Sequence, residues 1–339
     1  MIDTQLEKAT TFNRKKKKTL QDITAPVADS LSEFRSFYKQ ALRTDVWMLD
    51  KIVQYLLRQK GKEIRPTLVF MSARLFGDVT ERSYVAATMI ELLHTATLIH
   101  DDVVDEAELR RGFLSINKVW NNKAGVLLGD FLLSKGLLTA LDHEEFKLLK
   151  VLSKAVKQMS EGELRQFKAA RLFNMDEEYY FKVISEKTAS LIASCCECGA
   201  ISATDDPKMH KMMHDIGMYT GIAFQIRDDL FDYGVDDVGK PTRKDIEERK
   251  VTLPFIKALE NASLRQKIRA RYLMHKPKKK QADIDEIVSF VHDHGGITYA
   301  RSIMNDYADQ ALTKLRTLPE SEARTSFEDL ITYIIERKK

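Results

Sequence analysis

Glycine and proline are scarce: 14 and 7 of 339 residues, about 6% together and roughly half the usual share. That leaves little material for the turns of a many-stranded protein, so an all-α chain is expected. Cysteine is almost absent too. The three that exist cluster at Cys195, Cys196 and Cys198, and no second pair completes a tetrahedral zinc site or marks a redox fold. They read as small residues packed inside a helix. No long apolar run occurs, because the best stretch, Val126 to Leu141, is interrupted by Asp130 and Lys135, which speaks against a membrane span. The charge has no strong sign. A net +4 from 54 basic and 50 acidic residues gives no reason to expect nucleic acid as a partner. No apolar segment follows the N-terminal basic residues, so no secretory signal is read and cytoplasm is the expected compartment. Hydrophobic residues at 44% and charged residues at 31% suit a globular core, and one helical domain is ordinary at this length.

What the chain does have is paired acid. Asp101, Asp102 and Asp105 stand at i, i+1 and i+4, and Asp228, Asp229 and Asp232 repeat the spacing downstream. Around the first set Val85, Met89, Leu92, Ala96, Ile99 and Val103 recur at three- and four-residue steps; Ile216, Tyr219, Ala223, Ile226 and Leu230 do so around the second. This is the period of a buried helical stripe. Carboxylates one turn apart at the end of an apolar helix repel and resist ionisation unless a multivalent cation sits among them. Metal is therefore the first expectation.

Cations accompany the acids. Lys62 and Arg65 flank a helix stop at Gly61 and a Pro66 expected at the first position of the next helix. They are either solvated surface charges or the grip on an anion at a helix N-terminus. Arg110 and Arg111 follow the first acid set within two turns, and their forks match phosphate oxygens. Lys187 and Thr188 read as a phosphate contact or as a solvated helix edge. Further helices are expected over 124–141, 145–173 and 177–199, with Pro207 breaking the chain before the second acid helix. Gly234 to Pro241 has the glycine and lysine spacing of a phosphate loop. Pro241 stands where a hydroxyl must bind magnesium, and no strand precedes it, so that reading fails. Lys240, Lys244 and Lys250 are read instead as a basic loop able to fold over an anion. The run Arg14 to Lys18 is either a solvated N-terminus or a weak attraction to anionic lipid head groups. Lys276 to Lys280 reads as a charged linker.

Gly61, Lys62, Arg65 and Pro66, His94 through Asp105, Leu109 to Gly112, Lys187 and Thr188, Gln225, Asp228, Asp229 and Asp232, and Gly239 with Lys240 resemble the successive motif blocks of the trans-isoprenyl diphosphate synthases, the polyprenyl synthetase family. The resemblance runs from about residue 50 to 260. It implies an all-α single-domain bundle around a deep central cavity, residues 22–339, preceded by a flexible basic segment, 1–21, and usually present as a homodimer. It implies three magnesium ions, with Asp101, Asp105 and Asp228 as ligands and Asp102, Asp229 and Asp232 ligating or orienting through water. Arg110, Lys187 and Lys240 would hold an allylic diphosphate. Lys62, Arg65, His94 and Arg111 would hold isopentenyl diphosphate, and Thr188 and Gln225 would shield the allylic cation. Gln166 stands where some members carry an acid, so no ligand is assigned there, and nearby Glu163 is left open.

Small residues Ala96 and Thr97, one turn before the first acid set, leave the product tunnel open by that resemblance. A heptaprenyl or octaprenyl product for quinone side chains follows, with transient membrane contact at release; farnesyl or geranylgeranyl length is the alternative. A terpene cyclase should lack the second aspartate set, and a noncatalytic subunit of a heteromeric synthase should lack one set. A di-iron bundle needs a second partner for Glu91 and His94.

Overall fold

A computed structural model describes residues 18–59, 61–110, 112–172, 176–234 and 243–336. Its first elements are α1 (Leu20–Thr24), α2 (Ala28–Ala41), α3 (Trp47–Arg58), α4 (Ile64–Arg74) and α5 (Glu81–Val104). A two-stranded hairpin, β1 (Leu109–Arg110) and β2 (Phe113–Leu114), leads to α6 (Ile116–Trp120), α7 (Asn122–Asp142), α8 (Phe146–Leu172) and α9 (Glu177–Ile184). After a π turn at Ser185–Ala189 come α10 (Ser190–Ala203), α11 (Pro207–Phe231) and α12 (Lys244–Glu247). The chain ends in α13 (Leu253–Asn261), α14 (Leu264–His275), α15 (Gln281–Asp293), α16 (Gly296–Leu315) and α17 (Glu322–Glu336).

The centre is built from helices that are apolar all round and therefore buried all round. α10 has Leu191 to Cys196 and Cys198 to Ser202 buried, sandwiched between α4 and α11. The three thiols lie there, and burial pushes each of them up. α5 packs lengthwise on α7 through a second cluster containing Leu92, Ala96, Ile99, Leu128 and Leu132. α7 is long and apolar enough to cross a membrane by length and composition. Here it packs on α5, while Val126, Leu127, Leu137, Leu138 and Leu141 stay exposed on its other side.

Helix boundaries follow local chemistry. Asp206 accepts the Lys208 N–H at 2.8 Å, and Pro207 occupies the first turn of α11, where its missing N–H costs nothing. Thr80 and Ser83 close a capping box on α5. Pro66 differs from expectation. It is the third residue of α4, because Glu63 caps that helix in the left-handed region (φ 50°), and a third-position N–H has no partner inside the helix anyway. α1 starts ahead of the boundary expected at residue 21, and Lys18 pairs with Asp329 at 2.6 Å. The rest of the basic run, Arg14 to Lys17, lies outside the described residues.

Candidate active site

The two acid sets sit at the C-terminal ends of α5 and α11. Asp105 caps α5 and donates its N–H to the Asp101 carbonyl at 2.8 Å. Neighbouring residues on a helix point about 100° apart, so Asp101 and Asp102 cannot serve one face. Asp101 lines a cavity of 620 Å³. Asp102 is buried and lines a second cavity, of 550 Å³, on another side of α5. The hairpin returns Arg110 to Asp102, where Nε donates to Oδ1 at 3.0 Å and to Oδ2 at 3.2 Å and Nη2 donates to Oδ1. Arg110 therefore neutralises Asp102 and lines the second cavity, departing from its expected place beside Lys187.

The 620 Å³ cavity collects seven of the expected residues: Lys62, Arg65, His94, Thr97, Asp101, Lys187 and Thr188. They come from the start of α4, from α5 and from the π turn. Leu68, Leu98, Met159, Leu191, Ile192 and Phe224 form an apolar wall, and Glu63 and Glu91 also line the cavity. Asp101 is pushed up to about 6, first by burial and then by the charge of Glu163, against the pull of Lys187. A carboxyl poised there gains from any further cation.

Lys187 and Thr188 join the two acid sets. The π turn that presents them is pressed closely from two sides. A Cβ at Gly162 of α8 would lie 2.8 Å from the Lys187 backbone nitrogen, and one at Gly221 of α11 would lie 2.6 Å from the Ala189 Cα, so both positions require glycine. π turns of this kind recur at functional sites. Lys187 Nζ donates to Gln166 Oε1 at 2.6 Å and pairs with Glu163. Thr188 Oγ1 donates to Gln225 Oε1 at 2.8 Å; Gln225 Nε2 donates to Asp229 at 2.8 Å, and the buried Tyr180 hydroxyl donates to the same carboxylate at 2.7 Å. Gln225 thus orients Asp229, and its oxygen is taken by Thr188.

Asp229 is fully buried and pushed up to about 8 by desolvation and then by the charge of Asp245. Asp232, also buried, accepts the Asp245 N–H at 2.5 Å. Lys250 departs from expectation. It pairs with Asp245 at 3.1 Å and Glu248 at 2.7 Å, which hold its ammonium above the ordinary range against the opposing effect of burial. Neutralising two nearby carboxylates outweighs reaching for a distant anion. Ala96 also departs, since it is buried in the α5–α7 seam and does not line the cavity. Arg111 and Lys240 lie outside the described residues. Tyr180 and Asp245 carry no motif in the sequence and become visible only in the fold.

Among the described residues, no three His, Cys, Asp or Glu side chains gather closely enough to hold a metal by themselves. The donors at hand are carboxylate oxygens, and at Asp101 and Asp229 burial, reinforced by neighbouring carboxylates, opposes their ionisation. This suits magnesium, which takes one or two carboxylates and fills its other positions with phosphate oxygens and water.

The burial of Asp229 has a stability consequence in metal-free protein. Its folded value lies above the ordinary 3.8, so the native state holds the proton that the unfolded state has lost. Stability is then full below pH 3.8 and is lost as pH rises toward about 8. Asp229→Asn should gain on wild type by up to about 1 kcal/mol per pH unit across that window, read as melting temperature in chelator. A constant difference would show that Asp229 does not carry the proton.

Comparison with known proteins gives a family model, Polyprenyl synthetase, matching residues 46–291. The chain is 34% identical to heptaprenyl diphosphate synthase component 2 of Bacillus subtilis, over 91% of this chain and 88% of that protein. It is 31% identical to octaprenyl diphosphate synthase of Escherichia coli, over 94% and 99%. Among solved structures, a decaprenyl diphosphate synthase from Rhodobacter capsulatus superposes with a TM-score of 0.89 at 31% identity, covering 95% of this chain and 100% of that one.

Proposed function

Because this chain belongs to the polyprenyl synthetase family and is a trans-polyprenyl diphosphate synthase, we propose that its 620 Å³ cavity is where an allylic prenyl diphosphate meets isopentenyl diphosphate. The observation that carries this reading is the convergence of Lys62, Arg65 and His94 with Asp101, Lys187 and Thr188 on one cavity that also has a broad apolar wall. Lys62, Arg65 and His94 hold the diphosphate of isopentenyl diphosphate, with Arg111 as a further candidate. Lys187 and Lys240 hold the allylic diphosphate, and Arg110 joins them only by leaving Asp102. Asp101, Asp105 and Asp228, with Asp102, Asp229 and Asp232 beside them, would hold magnesium, three ions in all. Bound there, magnesium supplies positive charge that offsets the charge growing on the departing diphosphate.

The chain's own groups do the rest. Lys187 fixes the allylic diphosphate, and Asp101, through the magnesium it would hold, helps to set the head so that its C1 faces the second substrate. Leu98, Leu191, Ile192 and Phe224 exclude water that would otherwise capture the allylic cation. Thr188 presents its hydroxyl oxygen to that cation. The isopentenyl double bond attacks C1, and the proton then lost has an acceptor in the departed diphosphate.

The product is proposed to be heptaprenyl or octaprenyl diphosphate for quinone side chains, in keeping with the names of the relatives. Labelled isopentenyl diphosphate, an allylic primer and magnesium, followed by chromatography, test both reaction and length; a farnesyl or geranylgeranyl end point would refute the long-chain reading. Thr97→Phe should shorten the product, since Thr97 lines the cavity. Ala96→Phe should instead overpack the α5–α7 seam, at a cost of about 1–3 kcal/mol in stability. An unchanged product distribution in Thr97→Phe would remove the steric account.

The exposed apolar side of α7 supports a homodimer as the working form. A two-component enzyme is the second reading, favoured by the name of the Bacillus subtilis relative. Sedimentation and turnover of the purified chain alone separate the two. Cytoplasm is the proposed compartment, with transient membrane contact when the apolar product leaves.

A further inference from the structure

We infer that α14 and the turn after it form a docking surface for a bilayer carrying anionic phospholipid. This deepens the membrane contact proposed above, giving it a place in the fold far in sequence from the acid motifs. Residues 265–280 contain eight Lys or Arg and no Asp or Glu. Ala270, Leu273 and Met274 bury one side of α14. On the opposite side Leu264 (75% exposed), Ile268 (62%) and Tyr272 (57%) form a ridge at four-residue spacing. At about 100° per residue that ridge covers an arc of roughly 80°, with Lys267 and Arg271 along one flank and Arg265 and Arg269 along the other.

Three of the four acids of α15 are already committed, and the fourth, Asp293, is the last residue of that helix. Arg269 pairs with Glu286 at 2.7 Å, Lys276 with Asp283 at 2.7 Å, and Arg243 with Asp285 at 2.6 Å. Arg265, Lys267, Arg271 and Lys278 make no ion pair among the described residues. Burial, and then the like charge of Arg249, push the Lys279 ammonium down to about 8, against the opposing charges of Glu247 and Asp283. A polyanion such as nucleic acid would answer the charge, but Leu264 and Ile268 gain only from an apolar medium. A basic amphipathic helix with an aliphatic ridge and a tyrosine meets both demands at the head-group boundary of an anionic bilayer.

Flotation of the full chain with phosphatidylcholine vesicles, with and without phosphatidylglycerol, tests this without turnover, so it fails or succeeds independently of the reaction. Wild type should bind only the anionic vesicles and come off as salt is raised. The triple variant Arg265→Gln, Lys267→Gln, Arg271→Gln should bind them roughly 100-fold more weakly. Leu264→Gln, Ile268→Gln, Tyr272→Gln should lose binding to a similar degree. A control removing the same charge at exposed Lys150, Lys154 and Lys208 should bind as wild type does. All three should keep wild-type turnover with a soluble short primer, which shows that they fold. The inference is overturned if wild type does not select anionic vesicles, or if the α14 variants bind like the control. It is equally overturned if those variants alter self-association, which would make a second copy the occupant.

Discussion

Asp101→Asn is expected to lower kcat by about 10³-fold or more, because it removes a carboxylate that would hold the magnesium offsetting charge on the departing diphosphate. The amide is nearly the same size, and the aspartate it replaces is already disfavoured by burial and by Glu163. Folding should therefore be unharmed or improved, so a melting curve taken beside steady-state kinetics with magnesium separates lost chemistry from lost structure. Asp102→Asn makes the contrast. It breaks the pair with Arg110, frees that guanidinium, and should act through positioning, with a smaller fall in kcat. Undiminished turnover in Asp101→Asn would refute the placement of the allylic head.

Lys187→Met should cost nearly as much, for two reasons that separate by pH. The lost ammonium no longer meets the diphosphate, which removes about 10²–10³-fold by the measure of a single charge-stabilising donor. It also no longer lowers Asp101, while Glu163 is left without its partner. Both changes push Asp101 further above about 6, so the acid limb of the pH profile should move to higher pH. Raising the pH should recover part of the loss. An acid limb that stays in place would show that Lys187 and Asp101 are not coupled.

Much of this site was legible because its signals are short-range. Aspartates at i, i+1 and i+4 with an apolar stripe upstream specify a helix end rich in acid, whatever that helix packs against. Lys62 and Arg65 at a helix start, or Lys187 beside Thr188, likewise need only local order to be noticed. Tyr180 and Asp245 could not be found this way. Each matters only through a carboxylate 49 or 13 residues distant, and neither sits in a distinctive pattern.

The sequence by itself determined the helical class, the two acid helix ends and the cations meant for an anion. Low glycine and proline, helical periodicity and charge spacing all act within a few turns. Only the tertiary structure decided which groups share a cavity. It turned Asp101 and Asp102 to different sides of α5, returned Arg110 to Asp102, spent Lys250 on Asp245 and Glu248, and put Thr97 rather than Ala96 on the wall. The reason is physical. Ion pairing and burial are settled by whichever partner lies nearest in space, and that distance comes from how whole helices pack.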